Sequence, residues 1–200
     1  MKRKFLIIVS VLIFFIFFGL YLFDSVNGID DAVYNFIISI KSNYMTNVMK
    51  FITIFGGTKF IIFLMIIFLY FGLRKKKIFN ILNIIIIGEV ILNNLVKIIV
   101  RRNRPILINL VHETSFSFPS GHTMVSVTLY GFIIYLLLKS NLSNKLKYLF
   151  ISVLIILITL IIISRIYLGV HYFSDCIAGV GLACAYLLLS IEVIERKKLL

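Results

Sequence analysis

The chain alternates between long apolar runs and short polar segments. Each of six apolar runs, extended where needed into its flanks, reaches the about 20 residues that a helix needs to cross a bilayer. The runs occupy residues 5–23, 51–73, 78–96, 123–138, 148–164 and 176–191. We therefore predict an all-α integral membrane protein with six transmembrane helices, folded as a single domain over residues 1–200.

The composition excludes most other classes of protein. Of the 200 residues, 61% are hydrophobic and 14% are charged, and the mean hydropathy is +1.08. A soluble domain could not hide so much apolar surface, and a disordered chain would carry less of it. The two cysteines, Cys176 and Cys184, lie about 12 Å apart along one predicted helix, which is too far for a disulfide.

The first apolar run follows a Lys-Arg-Lys cluster, as the apolar core of a signal peptide does. It is longer than such a core, which has about 7 to 15 residues, and no small-residue cleavage site follows it. We interpret the run as a retained helix.

Basic residues outnumber acidic ones by 21 to 8, which gives a net charge of +13. They lie in short clusters between apolar runs, as expected beside anionic lipid headgroups rather than on a face that binds nucleic acid. With the N-terminus inside, the cytoplasmic segments hold 13 of the 21. The positive-inside rule therefore predicts a multi-pass cell-membrane protein with both termini in the cytoplasm.

The first outer segment, residues 24–50, has a different character. Apolar residues recur in it at helical spacing with polar residues between them: Ala32, Val33, Phe36, Ile37 and Ile40. The pattern predicts an amphipathic helix along the outer interface, with an ordered loop as the alternative.

Three other outer segments carry residues suited to phosphate chemistry. In residues 97–105, Lys97 and Arg104 are seven apart, or two helical turns, so we expect both to point the same way before Pro105 ends the helix. Two such cations can clamp an anion, Arg through a bidentate fork. Cations that only anchor the helix at the interface are the alternative.

The second segment, Pro-Ser-Gly-His at 119–122, suits the start of a helix, where backbone amides bind anions. His122 in the first turn is placed to give a proton to a group bound there, and a plain helix cap is the alternative.

The third segment, residues 164–175, contains Arg165 and the pair His171 and Asp175, which would stack on a helix because they are four apart. A carboxylate that holds one imidazole nitrogen fixes the tautomer and leaves the other nitrogen as a nucleophile.

Together, these motifs resemble the three-part signature of the type-2 phosphatidic acid phosphatase superfamily, which also includes the vanadium haloperoxidases. Lys-x6-Arg-Pro, Pro-Ser-Gly-His and Ser-Arg-x5-His-x3-Asp are complete and in order. Residues 110–122 further resemble small Gram-positive phosphatidylglycerophosphate phosphatases.

The resemblance implies a role for each motif residue. His171 attacks phosphorus to form a phosphohistidine, Asp175 orients it, and His122 protonates the leaving oxygen. The phosphoryl oxygens are held by Lys97, Arg104, Arg165, the Ser120 hydroxyl and the Gly121 amide. Such preorganised donors stabilise the transition state without a metal or another cofactor.

The implied function is hydrolysis of a lipid phosphate at the outer face of the membrane. Phosphatidylglycerophosphate, phosphatidic acid and undecaprenyl diphosphate are the expected substrates, and membrane lipids rather than an obligate protein are the expected partners. Hydrolysis of undecaprenyl diphosphate as the main role is one alternative. An anion transporter and a vanadate-dependent haloperoxidase are two others. Basic groups confined to one face argue against the transporter, and six lipid-embedded helices argue against the haloperoxidase.

Five further polar residues receive no role. We interpret His112 and Glu113 as a solvated loop pair, and leave Arg101 and Arg102 as either interfacial anchors or contacts to a second phosphate. Glu89 lies about 12 Å deeper along its helix than the first basic motif residue, where a charge suggests a function, but no partner can be named for it.

Overall fold

Eight helices form most of the part of the chain that the structure describes. The structure, a computed structural model, describes residues 2–74, 77–105, 110–111 and 113–199, and no strand occurs in these ranges. The helices are α1 (Lys2–Leu22), α2 (Asn27–Ser39), α3 (Asn43–Ile54), α4 (Thr58–Leu73), α5 (Lys77–Val100), α6 (Gly121–Lys139), α7 (Asn144–Tyr167) and α8 (Phe173–Arg196). The all-α class is as predicted.

Within the described ranges, six helical stretches are long and apolar enough to cross a membrane, which agrees with the predicted number. Five of them are the single helices α1, α5, α6, α7 and α8. The sixth, Asn43–Leu73, combines α3 and α4. The predicted run 51–73 is therefore not one continuous helix, because the chain leaves the helical conformation between Ile54 and Thr58.

Close packing explains this break in the second span. A β-carbon at Gly56 would lie 2.8 Å from Ser126 Oγ and 2.9 Å from Ile161 Cγ2, so only glycine lets the turn approach α6 and α7 this closely. The Tyr130 hydroxyl donates a hydrogen bond of 2.7 Å to the carbonyl oxygen of Phe55 in the same turn. A hydrophobicity pattern does not record such contacts, and the break was not predicted.

Helix α6 lies at the centre of the bundle, packed against α5, α7 and α8. Because neighbours surround it, all eight residues from Thr123 to Tyr130 are buried. Large apolar side chains such as Phe15, Ile66 and Phe150 are instead exposed on the outside of the bundle. That distribution suits a protein whose surroundings are lipid tails.

One end of the bundle is closed by an ionic cluster around Glu195. Arg3, from the start of α1, and Lys139, from the end of α6, each lie 2.6 Å from a carboxylate oxygen of Glu195 in the last turn of α8. The two terminal helices therefore bring their chain ends to the same end of the bundle, opposite the starts of α6 and α8.

Part of residues 24–50 is helical, as the apolar spacing predicts; the position of this helix along the membrane interface stays a prediction. The helix is α2, which buries Asp30 and Ile37, and α3 begins shortly after it with Ser42 as its N-cap. Residues 43–50 were not predicted to be helical.

We expect Gly181→Ala to destabilise the contact between α8 and α1. A β-carbon at Gly181 would lie 2.8 Å from Ser10 O and 2.9 Å from Phe14 N, and these backbone atoms cannot move independently of α1. The free energy of unfolding should fall by about 1 to 3 kcal/mol, read as a lower melting temperature in detergent.

Gly19→Ala on α1 is the matched control for this prediction. A β-carbon at Gly19 meets nothing within 4 Å, and alanine is the better helix former, so its melting temperature should be unchanged or raised. A melting temperature for the Gly181 variant equal to that of the control would contradict the close packing.

Candidate active site

The three motif segments meet at the end of the bundle opposite Glu195. Backbone hydrogen bonds join them: the Ser117 N–H donates to Arg102 O at 2.8 Å, and the Ser120 N–H donates to Asp175 O at 3.2 Å. The segment after α5, the start of α6 and the connection from α7 to α8 thus form one cluster.

His171 and Asp175 are adjacent, but not by the predicted helical stacking. His171 lies in the connection before α8, and Asp175 reaches back to it from the first turn of that helix. Asp175 Oδ2 accepts a hydrogen bond of 2.9 Å from the Tyr172 N–H and lies 3.5 Å from His171 Nδ1.

Ser117 bridges this pair. Its hydroxyl donates to Asp175 Oδ2 at 2.5 Å, and its Oγ lies 3.3 Å from His171 Nδ1. The Nδ1 edge of the imidazole therefore faces Ser117 and Asp175, and the Nε2 edge is left for other contacts.

Two basic residues lie near that second edge. Arg104 Nη1 lies 3.2 Å from His171 Nε2 and donates to Val170 O at 2.7 Å. Arg104 Nε donates to Ser115 O at 2.7 Å, and Lys97 Nζ donates to the neighbouring carbonyl oxygen of Phe116. Lys97 and Arg104 therefore converge on the same short segment, as predicted.

They converge by a different route from the one predicted. Helix α5 ends at Val100, where Arg101 adopts the left-handed conformation with φ 51° and its N–H closes the last helical turn on Lys97 O. Arg104 is therefore not on the helical face of Lys97. The prediction that Pro105 ends this helix is wrong, because the chain has already turned.

Arg165 is held by a residue that was not predicted to belong to the site. Its guanidinium donates to Glu113 Oε1 at 2.6 Å and to Thr53 Oγ1 at 2.7 Å, and its Nε has no hydrogen-bond partner among the described residues. Glu113 Oε2 also lies 4.0 Å from Arg104 Nη2. The interpretation of Glu113 as part of a solvated loop pair is thus wrong, and His112 lies outside the described residues.

The start of α6 combines a helix cap with a cavity wall. Ser120 is fully buried as the N-cap, and its Oγ accepts hydrogen bonds from the Thr123 N–H at 3.5 Å and the Thr123 hydroxyl at 3.0 Å. Gly121 and His122, the next two residues, line the adjacent cavity. The cap and the site interpretations of this segment are therefore compatible.

The cavity has a volume of about 430 Å³ and two unlike ends. The polar end is lined by Lys97, Arg104, Gly121, His122 and His171. The other end lies between α4 and α5 and is lined by Ile61, Ile62, Met65, Ile87 and Ile91. Such a shape suits a ligand with an anionic head and an apolar body.

The charges around the polar end favour an anion. Burial lowers the pKa of His171 well below its usual value, and the cations Arg104, Arg165 and Lys97 lower it further, so the imidazole is neutral at physiological pH.

Within the described ranges, no three His, Cys, Asp or Glu side chains form a group that could hold a metal ion.

Arg102 and Arg101 differ although they are neighbours. Arg102 is buried in ion pairs of 2.8 Å with Asp30 and 2.7 Å with Asp175, so it is not an interfacial anchor. Arg101 is exposed, and its Nε donates to Ile98 O.

Sequence reasoning assigned no role to four residues whose partners are distant along the chain: Arg102, Asp30, Ser117 and Thr53.

Glu89 lines the cavity between its two ends and is completely buried. Neither carboxyl oxygen has a hydrogen-bond partner among the described residues. Asn93, one turn away, donates instead to Pro119 O and Met124 Sδ. A fully buried carboxyl group without a hydrogen-bond partner lowers the stability of the fold.

We expect Glu89→Leu to raise the melting temperature of the substrate-free protein in detergent. A buried polar group without a partner costs about 1 to 3 kcal/mol, which an apolar side chain of similar volume recovers. Glu89→Gln keeps a buried polar group and should gain less. A lower melting temperature for the Leu variant would show that the carboxyl stabilises the fold.

Comparison with known proteins agrees with the motifs. The chain belongs to the PAP2 superfamily, whose sequence pattern matches residues 77–199, the part that contains all three motif segments. With its six spanning helices, the chain is a multi-pass membrane lipid phosphatase of this superfamily.

A sequence match and a crystal-structure match both come from Bacillus subtilis. Phosphatidylglycerophosphatase B of strain 168 is 32% identical over 185 residues, which cover 87% of this chain and 88% of that protein. The crystal structure of a transmembrane PAP2-type phosphatidylglycerolphosphate phosphatase superposes with a TM-score of 0.86 at 30% identity, covering 95% of this chain and 96% of the other.

The fold also occurs in a more distant structure. The crystal structure of Aquifex aeolicus LpxE superposes with a TM-score of 0.61 at 22% identity, covering 80% of this chain and 93% of that one. This likeness concerns the fold alone.

Proposed function

We propose that this chain removes the terminal phosphate from a membrane lipid, with phosphatidylglycerophosphate as the first candidate, in a single domain that needs no cofactor or protein partner. The observation that carries the proposal is the cavity. Two histidines and two cations surround its polar end, and apolar side chains of α4 and α5 line the other end. The two ends match the phosphate and the acyl chains of one lipid.

In the first half-reaction, His171 Nε2 attacks phosphorus. We assign the Nδ1–H tautomer, because Nδ1 faces Ser117 Oγ at 3.3 Å and the Ser117 hydroxyl donates to Asp175. The phosphorus–nitrogen bond forms as the bond from phosphorus to the lipid oxygen breaks. His122, which lines the same cavity, gives its proton to that oxygen.

In the second half-reaction, water attacks the phosphorus of phosphohistidine. His122 takes a proton from the water, the phosphorus–nitrogen bond breaks, and the electron pair returns to His171 Nε2. Inorganic phosphate leaves, and both histidines regain their starting protonation states.

The remaining predicted residues bind the phosphoryl oxygens in this mechanism: Lys97, Arg104, Arg165, the Ser120 hydroxyl and the Gly121 amide. Lys97 and Arg104 donate to neutral backbone carbonyls, and a charged phosphate would accept stronger hydrogen bonds from the same groups. Arg165 Nε is a buried donor with no hydrogen-bond partner among the described residues. Donors fixed in advance stabilise the charge that develops in the transition state.

We further propose that both chain ends face the cytoplasm and that the cavity opens at the extracytoplasmic side. The distribution of 13 of 21 basic residues to the inner segments supports this orientation. Helix α2 then lies along the outer interface. The lipid reaches the cavity sideways between α4 and α5, with its tails still in the bilayer.

The choice of phosphatidylglycerophosphate rests on the relative of that specificity, which is 32% identical over most of the chain. The alternatives are phosphatidic acid, which carries a phosphate monoester, and undecaprenyl diphosphate, which carries a terminal phosphoryl group on a diphosphate; hydrolysis of the latter as the main role is the second hypothesis.

Phosphate release from the three lipids in mixed micelles, with EDTA present, tests this proposal. We expect kcat/KM to be highest for phosphatidylglycerophosphate, and His171→Ala to lose at least about 10³-fold on every lipid because the nucleophile is gone. A higher kcat/KM for undecaprenyl diphosphate would overturn the substrate assignment. Undiminished release by His171→Ala would overturn the mechanism.

His122→Ala should behave differently, because its role depends on the leaving group. We expect kcat/KM to fall by about 10²- to 10⁴-fold on lipids whose leaving group is an alkoxide. On p-nitrophenyl phosphate, whose leaving group needs no proton, the loss in kcat/KM should be far smaller for His122→Ala but undiminished for His171→Ala, because kcat/KM reports the first half-reaction and not the attack of water. Equal losses of His122→Ala on both kinds of substrate would contradict the role of general acid.

A further inference from the structure

Arg102 connects the first outer segment to His171 and Asp175. Its Nη1 donates to Asp175 Oδ1 and to Ser174 Oγ, both at 2.7 Å, and its Nη2 donates to Asp30 Oδ2 at 2.8 Å. One guanidinium, only 6% exposed, is thus shared between two buried carboxylates.

Two aromatic rings also lie against the guanidinium. Its Cζ lies 4.0 Å from the ring centroid of Tyr172 and 4.8 Å from that of Tyr21. Burial by itself would lower the pKa of Arg102, but the carboxylates of Asp175 and Asp30 outweigh it and raise the pKa. Arg102 is therefore a fixed, permanent cation.

Asp30 closes the cluster from the side of α2. It is 3% exposed, and it accepts hydrogen bonds from the Ser174 N–H at 2.9 Å and from the Ser174 hydroxyl at 2.6 Å. Ser174 directly precedes Asp175. The first turn of α2 is therefore fastened to the first turn of α8, beside the carboxylate that faces His171.

The two oxygens of Asp175 have separate partners. Oδ1 accepts from Arg102, whereas Oδ2 accepts from Ser117 and from the Tyr172 N–H and faces His171. Because Arg102 occupies Oδ1, the carboxylate cannot rotate without breaking an ion pair inside the protein. The ion pair with Arg102 thus fixes the orientation of the Asp175 carboxylate toward His171.

We propose that Arg102 and Asp30 are positioning residues for phosphoryl transfer. They fix the carboxylate of Asp175 and, through it, the tautomer and ring orientation of His171. The inference rests on the proposed nucleophilic role of His171. Asp30 lies outside the range matched by the superfamily pattern, 77–199, so the pair extends the catalytic machinery into α2.

The first test compares Arg102→Gln and Asp30→Asn with the wild type. Loss of a residue that orients a reactive group costs about 10- to 100-fold, so kcat should fall by that factor while KM stays within about twofold. Arg101→Gln removes the same charge from the exposed neighbour and should leave both constants unchanged.

Two further measurements separate positioning from mere support of the fold. The double variant of Arg102→Gln and Asp30→Asn should lose no more kcat than Arg102→Gln alone, since both residues belong to one hydrogen-bonded cluster and act on the same carboxylate, that of Asp175. In Arg102→Ala, added guanidinium chloride at tens of millimolar should restore part of kcat, and sodium chloride at the same concentration should not.

The inference would be overturned by any of three results: an unchanged kcat in Arg102→Gln, losses that multiply in the double variant, or no rescue by guanidinium in an Arg102→Ala protein that melts like the wild type. His171→Ala distinguishes this failure from that of the proposed function. If the function is right and the inference wrong, His171→Ala is inactive while Arg102→Gln retains full activity.

Discussion

A carboxylate buried inside a membrane-spanning bundle needs partners for both oxygens, because an unpaired charge there is costly. Asp175 is completely buried, and its partners come from different parts of the chain. Arg102 follows α5, Ser117 precedes α6, and the Tyr172 N–H belongs to the connection before α8. Each of these segments also carries one motif, so satisfying one buried charge assembles the three motifs.

The cations of the site are likewise held in place by hydrogen bonds within the protein. Arg104 and Lys97 are held on the carbonyls of residues 115–116, and Arg165 is held by Glu113 and Thr53. Cations kept in place by the protein need little rearrangement when a phosphate binds, which is the condition for stabilising a transition state rather than a ground state. The apolar half of the cavity then needs only to accept lipid tails.

The local pattern of apolar and polar residues was sufficient to predict the fold class, the number of membrane spans and the meeting of the three motifs. Apolar runs report the surrounding lipid, and spacing reports which residues lie near helix ends. The pattern could not reveal the break at Gly56, which depends on contacts with α6 and α7. It also placed the end of α5 at Pro105, although the helix ends at Val100.

The sequence predicted the motif residues of the site but not the residues that hold them in place. Arg102 was left between two interpretations because its partner Asp30 is 72 residues away along the chain. Glu113 was interpreted as a solvated residue because nothing near it in sequence showed that Arg165 would face it. Residues that support a site through tertiary contacts leave no mark on local spacing, and a structure is needed to find them.

The central claim is that the phosphoryl group passes through His171, and rapid acid-free quenching tests it most directly. Wild-type protein would be mixed with lipid carrying a ³²P-labelled terminal phosphate, denatured within milliseconds and digested for mass spectrometry. The account predicts an acid-labile phosphoryl group on Nε2 of His171 that forms and decays as fast as turnover requires, and none in His171→Ala. Turnover without any labelled intermediate, or label on another residue, would contradict it.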